Sequence, residues 1–263
     1  MRYSILNAFV DGPLSGNPAA VVFLDNWLAD DVMRSMAEQF AYSETAFLVQ
    51  EDKTIQLRWF TPTTEVDMCG HATMAASQEV FNDQPKLNTI HFQTRSGIIT
   101  VNKATWDINM DFPARKLSCY DELNVLSECL CVDVTAATIA GPTVLALVEN
   151  SQLVKDIEPD LRLIADVPFN AVIPTAPGDD VDFVSRVFAP RLGIPEDPVT
   201  GAAHTGLAPF WANRLNKNKL VARQVSSRGG RVVCEVKGGR VILGGRTEIF
   251  ARGTIQQAPM SVD

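Results

Sequence analysis

A repeat inside the chain constrains its fold more than any other feature. Arg58-Trp59-Phe60-Thr61-Pro62 is echoed by Arg186-Val187-Phe188-Ala189-Pro190. Each run leads into an acidic stretch, Glu65 and Asp67 in the first and Glu196 and Asp197 in the second. Each then reaches a glycine placed to open a helix: Gly70, eight residues after Pro62, and Gly201, eleven after Pro190. Both continue Gly-x-Ala. Chance can produce a five-residue echo, but not easily one with the same downstream grammar. The chain reads as two lobes of common design.

Two lobes also fit the size. The 263 residues are 46% hydrophobic, enough for two cores of about 100–150 residues each. Pro113-Ala114-Arg115-Lys116 is the expected boundary. It gives an N-terminal lobe over 1–113, with 252–263 as a strand that completes it, and a second lobe over 114–251. The two segments after the glycines, Ala72–Phe81 and Gly201–Leu215, are apolar on most sides, so each is expected as a buried central helix. Pro209 lies inside the second and is expected to kink it or remove a hydrogen bond. Further helices are expected at Asp30–Phe40, Asp121–Cys129 and Leu153–Leu163. Strands are expected at Tyr3–Val10, Ala20–Leu24, Thr45–Val49, Ile55–Phe60 and Asp182–Phe188, with short strands split by glycines in the tail.

Charge and cysteine usage exclude several classes of function. The net charge of −8 argues against nucleic acid as the main partner. It is uneven: Arg214–Arg252 holds ten Lys or Arg against two acids, so 10 − 2 = +8, leaving 13 − 29 = −16 elsewhere. That segment is either a set of strands with solvated basic faces or a local field that draws in a carboxylate. Five irregularly spaced cysteines do not make a disulfide framework, and with three histidines they give no structural zinc pattern. No apolar run is long enough to cross a membrane, and the start lacks the apolar stretch of a signal peptide. The cytosol is the expected location, with neither nucleic acid nor membrane as partner and no metal site.

The two glycine turns are where chemistry is expected. A buried helix start offers unpaired N–H groups and a partial positive charge, and glycine lets another group approach. Gly70-His71 and Thr200-Gly201 are thus two potential anion sites, expected to open on one cleft where Cys69–Thr73 meets Asp197–His204. His71 and Asp197 flank them with proton chemistry. Glu44 enters an apolar strand in Ser43-Glu44-Thr45-Ala46-Phe47-Leu48. In a cleft, desolvation would raise its pKa and suit it to general acid/base work. Cys69 reads better as a small buried filler than as a catalytic thiol, because Pro198-Val199-Thr200-Gly201 supplies no facing cysteine. Neither a Gly-x-Ser-x-Gly elbow, a phosphate-binding Walker loop nor His-Glu-x-x-His occurs.

Several runs resemble the phenazine-biosynthesis PhzF-like family. They are Gly16-Asn17-Pro18-Ala19-Ala20-Val21-Val22, Ser43-Glu44-Thr45-Ala46-Phe47, Cys69-Gly70-His71-Ala72-Thr73, Arg186-x-Phe188-Ala189-Pro190, Glu196-Asp197-Pro198-Val199-Thr200-Gly201 and Ser227-Arg228-Gly229-Gly230. The resemblance implies the α+β fold of diaminopimelate epimerase: two pseudo-symmetric lobes, each a curved, mostly antiparallel sheet wrapped around a central helix. It also implies a homodimeric isomerase with no cofactor, moving a proton within a small carboxylated substrate. Carried over, Glu44 is the acid/base, and His71 and Asp197 orient and polarise the substrate. Gly70, Thr200, Gly201 and Ala202 line its binding site, the two glycines through backbone donors. Ala202 stands where the phenazine enzyme has a serine, which puts the phenazine substrate in doubt but not the fold. A racemase or lyase on the same scaffold, or a protein that only binds a small acid, are the alternatives.

Overall fold

The computed structural model describes residues 1–51, 54–104 and 108–256. In chain order its first elements are β1 (Arg2–Ala8), β2 (Asn17–Leu24), α1 (Asp30–Phe40), β3 (Thr45–Glu51), β4 (Thr54–Phe60) and β5 (Glu65–Val66). Then come α2 (Gly70–Asp83), β6 (Thr89–Thr94), β7 (Gly97–Lys103), β8 (Ile108–Pro113), β9 (Leu117–Cys119) and α3 (Leu123–Leu130). The chain continues with β10 (Ala136–Ala140), β11 (Thr143–Leu147), α4 (Ser151–Asp156), α5 (Leu161–Asp166), β12 (Ala171–Pro177) and β13 (Phe183–Ser185). The last are α6 (Gly201–Leu215), β14 (Lys219–Gln224), β15 (Gly230–Lys237), β16 (Arg240–Gly245) and β17 (Thr247–Thr254). This is an α+β chain, and none of its described helices is long and apolar enough to cross a membrane.

Two compact units result: Met1–Val10, Pro18–Asp111 and Gly245–Asp263 form one, Asp11–Asn17 and Phe112–Gly244 the other. In the first, β17 returns to pair antiparallel with β1. Of the expected strand 252–263, residues 257–263 lie outside the described residues.

Strand pairing gives the sequence echo its structural meaning. In the first unit β2 runs parallel to β3, β3 antiparallel to β4, β4 parallel to β6 and β6 antiparallel to β7. In the second, β11 runs parallel to β12, β12 antiparallel to β13, β13 parallel to β14 and β14 antiparallel to β15. The order of senses is the same. Parallel neighbours require a crossover. Helix α2 spans the one between β4 and β6, and α6 the one between β13 and β14. Ten residues of each helix are buried, so both are central to their units.

The echoed arginines do the same work twice. Arg58 holds Glu65 through two hydrogen bonds of 2.7 Å, and Arg186 holds Glu196 at 2.7 and 2.9 Å. Each guanidinium also lies over the buried phenylalanine two residues on, 5.1 Å from the Phe60 ring and 4.7 Å from the Phe188 ring. Such two-point clamps fix direction as well as distance. Each therefore fixes the turn that leads to its central helix.

Three expectations change. Leu153–Leu163 is two helices, because the segment around Pro159 cannot continue the first; Asp160 caps the second by accepting from Arg162 N and Leu163 N. The strand expected over Asp182–Phe188 is regular only for three residues, after which Phe188 forms an isolated bridge to Val172. Chain β1 stops at Ala8, since Phe9 takes a left-handed turn with φ of 60°. Of the ten basic side chains in Arg214–Arg252, five (Lys217, Lys219, Arg223, Lys237 and Arg252) pair with acids. Part of the apparent basic field is thus neutralised locally.

Candidate active site

Glu44 precedes β3, whose residues Thr45–Val49 are buried, so the carboxylate is carried to the mouth of an apolar strand. Its side chain is 16% exposed. His71, the second residue of α2, sets its Nε2 3.5 Å from Glu44 Oε2 and 3.4 Å from Ser43 Oγ. The other ring nitrogen, Nδ1, lies 3.4 Å from Cys69 Sγ. Burial holds the Glu44 carboxyl above its ordinary value of 4.5, and hydrogen bonds from Ser43 and Cys69 pull part of that rise back. A carboxyl in this setting can both take and give a proton.

Cys69 is the N-cap of α2, and its side chain caps no N–H of the first turn. Its carbonyl instead receives Thr73 N at 3.1 Å and Thr73 Oγ1 at 2.6 Å. The first turn, including Gly70, thus presents backbone donors and the positive end of a buried helix beside Glu44. An anion is the natural occupant.

The second unit builds its helix start differently. Asp197 Oδ1 accepts from Asn17 Nδ2 at 2.8 Å, and Oδ2 accepts from the Thr200 hydroxyl. Buried Gln224 stitches the same turn, accepting from Thr200 N at 2.9 Å and donating to the Asp197 carbonyl at 2.6 Å. Asn17 itself is placed by a paired turn: Gly16 and Gly229, with φ of 83° and 66°, adopt left-handed backbone and bond Gly16 N to Gly229 O at 2.7 Å. This is what the Gly16-Asn17-Pro18 and Arg228-Gly229-Gly230 runs have in common. As in α2, the N-cap Thr200 makes no side-chain cap, leaving Gly201 and Ala202 at an uncapped first turn. His204 takes the role of Thr73, with Nδ1 2.8 Å from the Thr200 carbonyl. Burial pushes its pKa down to about 4, so the ring is neutral and Nδ1–H donates.

The repeat also shows where the units differ. Phe47 pairs with Arg58, and Arg186 N bonds the Pro174 carbonyl, so Phe47 corresponds to Pro174. Three residues earlier, Glu44 corresponds to Ala171. His71 likewise corresponds to Ala202, and Cys69 to Thr200. The carboxylate, imidazole and thiol occur in the first unit alone of the two repeats.

Sequence reasoning brought Glu44 and His71 forward, and they do meet; Asp197, Thr200, Gly201 and Ala202 share the start of α6. It missed Gln224, which reaches the site from a strand with no motif. Cys69, expected as a small buried residue, is buried, and its thiol also contacts His71 and Glu44.

Comparison with known proteins agrees with this architecture. Residues 6–253 match the PhzC-PhzF family of phenazine biosynthesis-like proteins. A Pseudomonas aeruginosa protein named an uncharacterized isomerase is 42% identical, over 97% of this chain and 98% of that one. The crystal structure of a PhzF-family phenazine biosynthesis protein from Enterococcus faecalis superposes with a TM-score of 0.93 at 42% identity, covering 96% of this chain and 97% of that one. A predicted epimerase of Pseudomonas aeruginosa shares the fold, with a TM-score of 0.79 at 21% identity over 98% of this chain and 99% of that one. With the motif residues assembled as described and the match running nearly end to end, the chain belongs to the PhzC/PhzF family of phenazine biosynthesis-like proteins.

Proposed function

We propose that this protein is a cofactor-independent isomerase that moves a proton within a small carboxylated substrate, with Glu44 as general acid and base. The observation that carries the reading is Glu44 itself: a desolvated carboxyl, raised in pKa, beside His71 and an uncapped helix start. The first turn of α2 binds the substrate's negative charge, and His71 orients and polarises the group that loses the proton. Asp197, Thr200, Gly201 and Ala202, gathered at the start of α6, keep the substrate-binding role that the family resemblance gives them. The name of the 42% identical relative supports isomerase chemistry.

Glu44 takes a proton from carbon, leaving an enolate-like anion whose charge falls on the substrate carboxylate. The same carboxyl then returns the proton at another carbon. This needs one acid that shuttles. A two-thiol racemase needs a second cysteine, and the position that corresponds to Cys69 in the repeat is Thr200, so isomerisation is favoured over racemisation.

The test is proton exchange. Small unsaturated or amino carboxylates are incubated with enzyme in D2O and read by mass shift and NMR. Glu44→Gln keeps the shape and removes the transferable proton, so it should spare binding and cut turnover by roughly two to four powers of ten. Binding of a carboxylate with no exchange, in wild type and variant alike, would make the protein a small-acid binder instead.

A further inference from the structure

Glu44, Cys69 and His71 are close enough to share more than a proton. One ligand atom from each lies within 4.8 Å of the others, and among the described residues this is the one such group of three. We propose that these three side chains form a binding site for a thiophilic divalent cation of the Zn2+ class, and that an ion there blocks the enzyme.

The donor set is a thiolate, an imidazole nitrogen and a carboxylate oxygen, the mixture that Zn2+ accepts in sites that keep a fourth position open. The spacing fits too. Ligands about 2.3 and 2.0 Å from a tetrahedral ion stand roughly 3.5 Å apart, and Cys69 Sγ lies 3.4 Å from His71 Nδ1. Nδ1 already faces the sulfur, while Nε2 lies 3.4 Å from Ser43 Oγ and 3.5 Å from Glu44 Oε2, so the Glu44 carboxylate, which hydrogen-bonds Cys69, turns from Nε2 towards Nδ1 to complete the site. Cys69 and His71 are almost fully buried, at 6% and 5% exposure, while the more open Glu44 gives the approach. The helix start repels a cation, but thiolate and carboxylate together bring two negative charges against its half charge.

Binding is an exchange of protons for metal. The Cys69 thiol releases its proton to solvent and the sulfur lone pair forms the metal bond; Glu44, if protonated, does the same. No redox step is involved. The ion then occupies the lone pairs that Glu44 needs, so turnover falls with occupancy. That last consequence rests on Glu44 as proton carrier; the binding does not.

The experiment uses the full chain with exposed Cys119 and Cys131 replaced by serine, which removes surface thiols from the count. Zn2+ is titrated against a chromophoric chelator, and Co2+ is added separately to look for the thiolate-to-metal absorption band. The expected result is one equivalent bound, a thiolate band, and an affinity at least about tenfold weaker in both Cys69→Ser and Glu44→Gln. Circular dichroism of each variant confirms folding. Less than one equivalent, or equal affinity and an unchanged band in Cys69→Ser, would overturn the site. If the ion binds as described but Glu44→Gln keeps full turnover, the site stands and the proton-transfer reading fails.

Discussion

The amide of Arg115 donates to the carbonyl of Thr205 at 3.1 Å, filling the acceptor that Pro209 leaves without a helical partner. A proline in a helix costs the bond to the residue four before it, here Thr205. The chain supplies that bond from outside, so α6 runs unbroken from Gly201 to Leu215 with Pro209 inside it. Arg115 continues the arrangement with its side chain, which donates to the Ala140 carbonyl at 3.0 Å.

The close approach depends on Gly206. A Cβ there would stand 2.7 Å from the Ala140 Cβ, well inside contact. Gly206→Ala should therefore destabilise by about 1–3 kcal/mol, although alanine is the better helix former. Pro209→Ala should gain far less than the roughly 3 kcal/mol of helix propensity, because the Thr205 carbonyl already has a partner. Urea unfolding of both variants decides this. A neutral Gly206→Ala would mean that the helix and β10 have room to part.

The arginine clamps make a second prediction. Glu196→Gln removes the charge from a two-point bond whose members are 13% and 23% exposed, and should cost about 1.5–3 kcal/mol. Glu65→Gln should cost a similar amount, since Glu65 is 8% exposed and Arg58 and Arg95 both bind it. Thermal melts of the two variants beside the double variant test whether the repeats act independently, in which case the losses add.

Much of this was legible in the sequence because a repeat prints its constraints twice. Arg58 and Arg186 head the same five-residue pattern, and the clamps they make are what that pattern specifies. The central helices were readable from their apolar circumference, and Glu44 from a lone charge entering an apolar strand. Other contacts leave no local trace. Gln224 and Asn17 meet Asp197 only because distant turns bring them there, and neither spacing nor periodicity encodes such a meeting. The Arg115–Thr205 bond is backbone to backbone, so side-chain identity cannot announce it. Cys69 has no second thiol to match it in the sequence, and its imidazole and carboxyl partners, His71 and Glu44, belong to no thiol pattern.

His204 predicts acid sensitivity. Its folded pKa of about 4 lies below the ordinary 6.5, so from 6.5 downward the unfolded chain binds a proton that the folded one refuses. Its contribution is complete above pH 6.5 and is lost as pH falls towards 4, by at most about 3 kcal/mol. His204→Asn keeps a donor for the Thr200 carbonyl without a titrating ring. Unfolding free energies of both proteins at pH 7.5, 6 and 4.5 should show wild type losing stability faster than the variant. Parallel pH curves would remove His204 from the account.

Glu44 predicts the opposite slope. Burial raises its folded pKa above 4.5, so the folded protein holds this proton more tightly than the unfolded chain does. The contribution is greatest at low pH and falls as pH rises from 4.5 through the raised value; above it, the buried charge opposes folding. Glu44→Gln carries no charge at any pH. The variant should therefore melt above wild type at pH 8, and the gap should close as pH drops to 4. The same titration governs catalysis, because the base form must be present to take a proton: kcat/KM should rise with pH along a limb whose midpoint lies above 4.5. Differential scanning calorimetry of both proteins across this range, beside the wild-type pH–rate profile, checks the two readouts against each other. A variant that melts below wild type at pH 8 would show that the Glu44 charge is stabilised where it sits, and its role as a proton carrier tuned by burial would fall with that result.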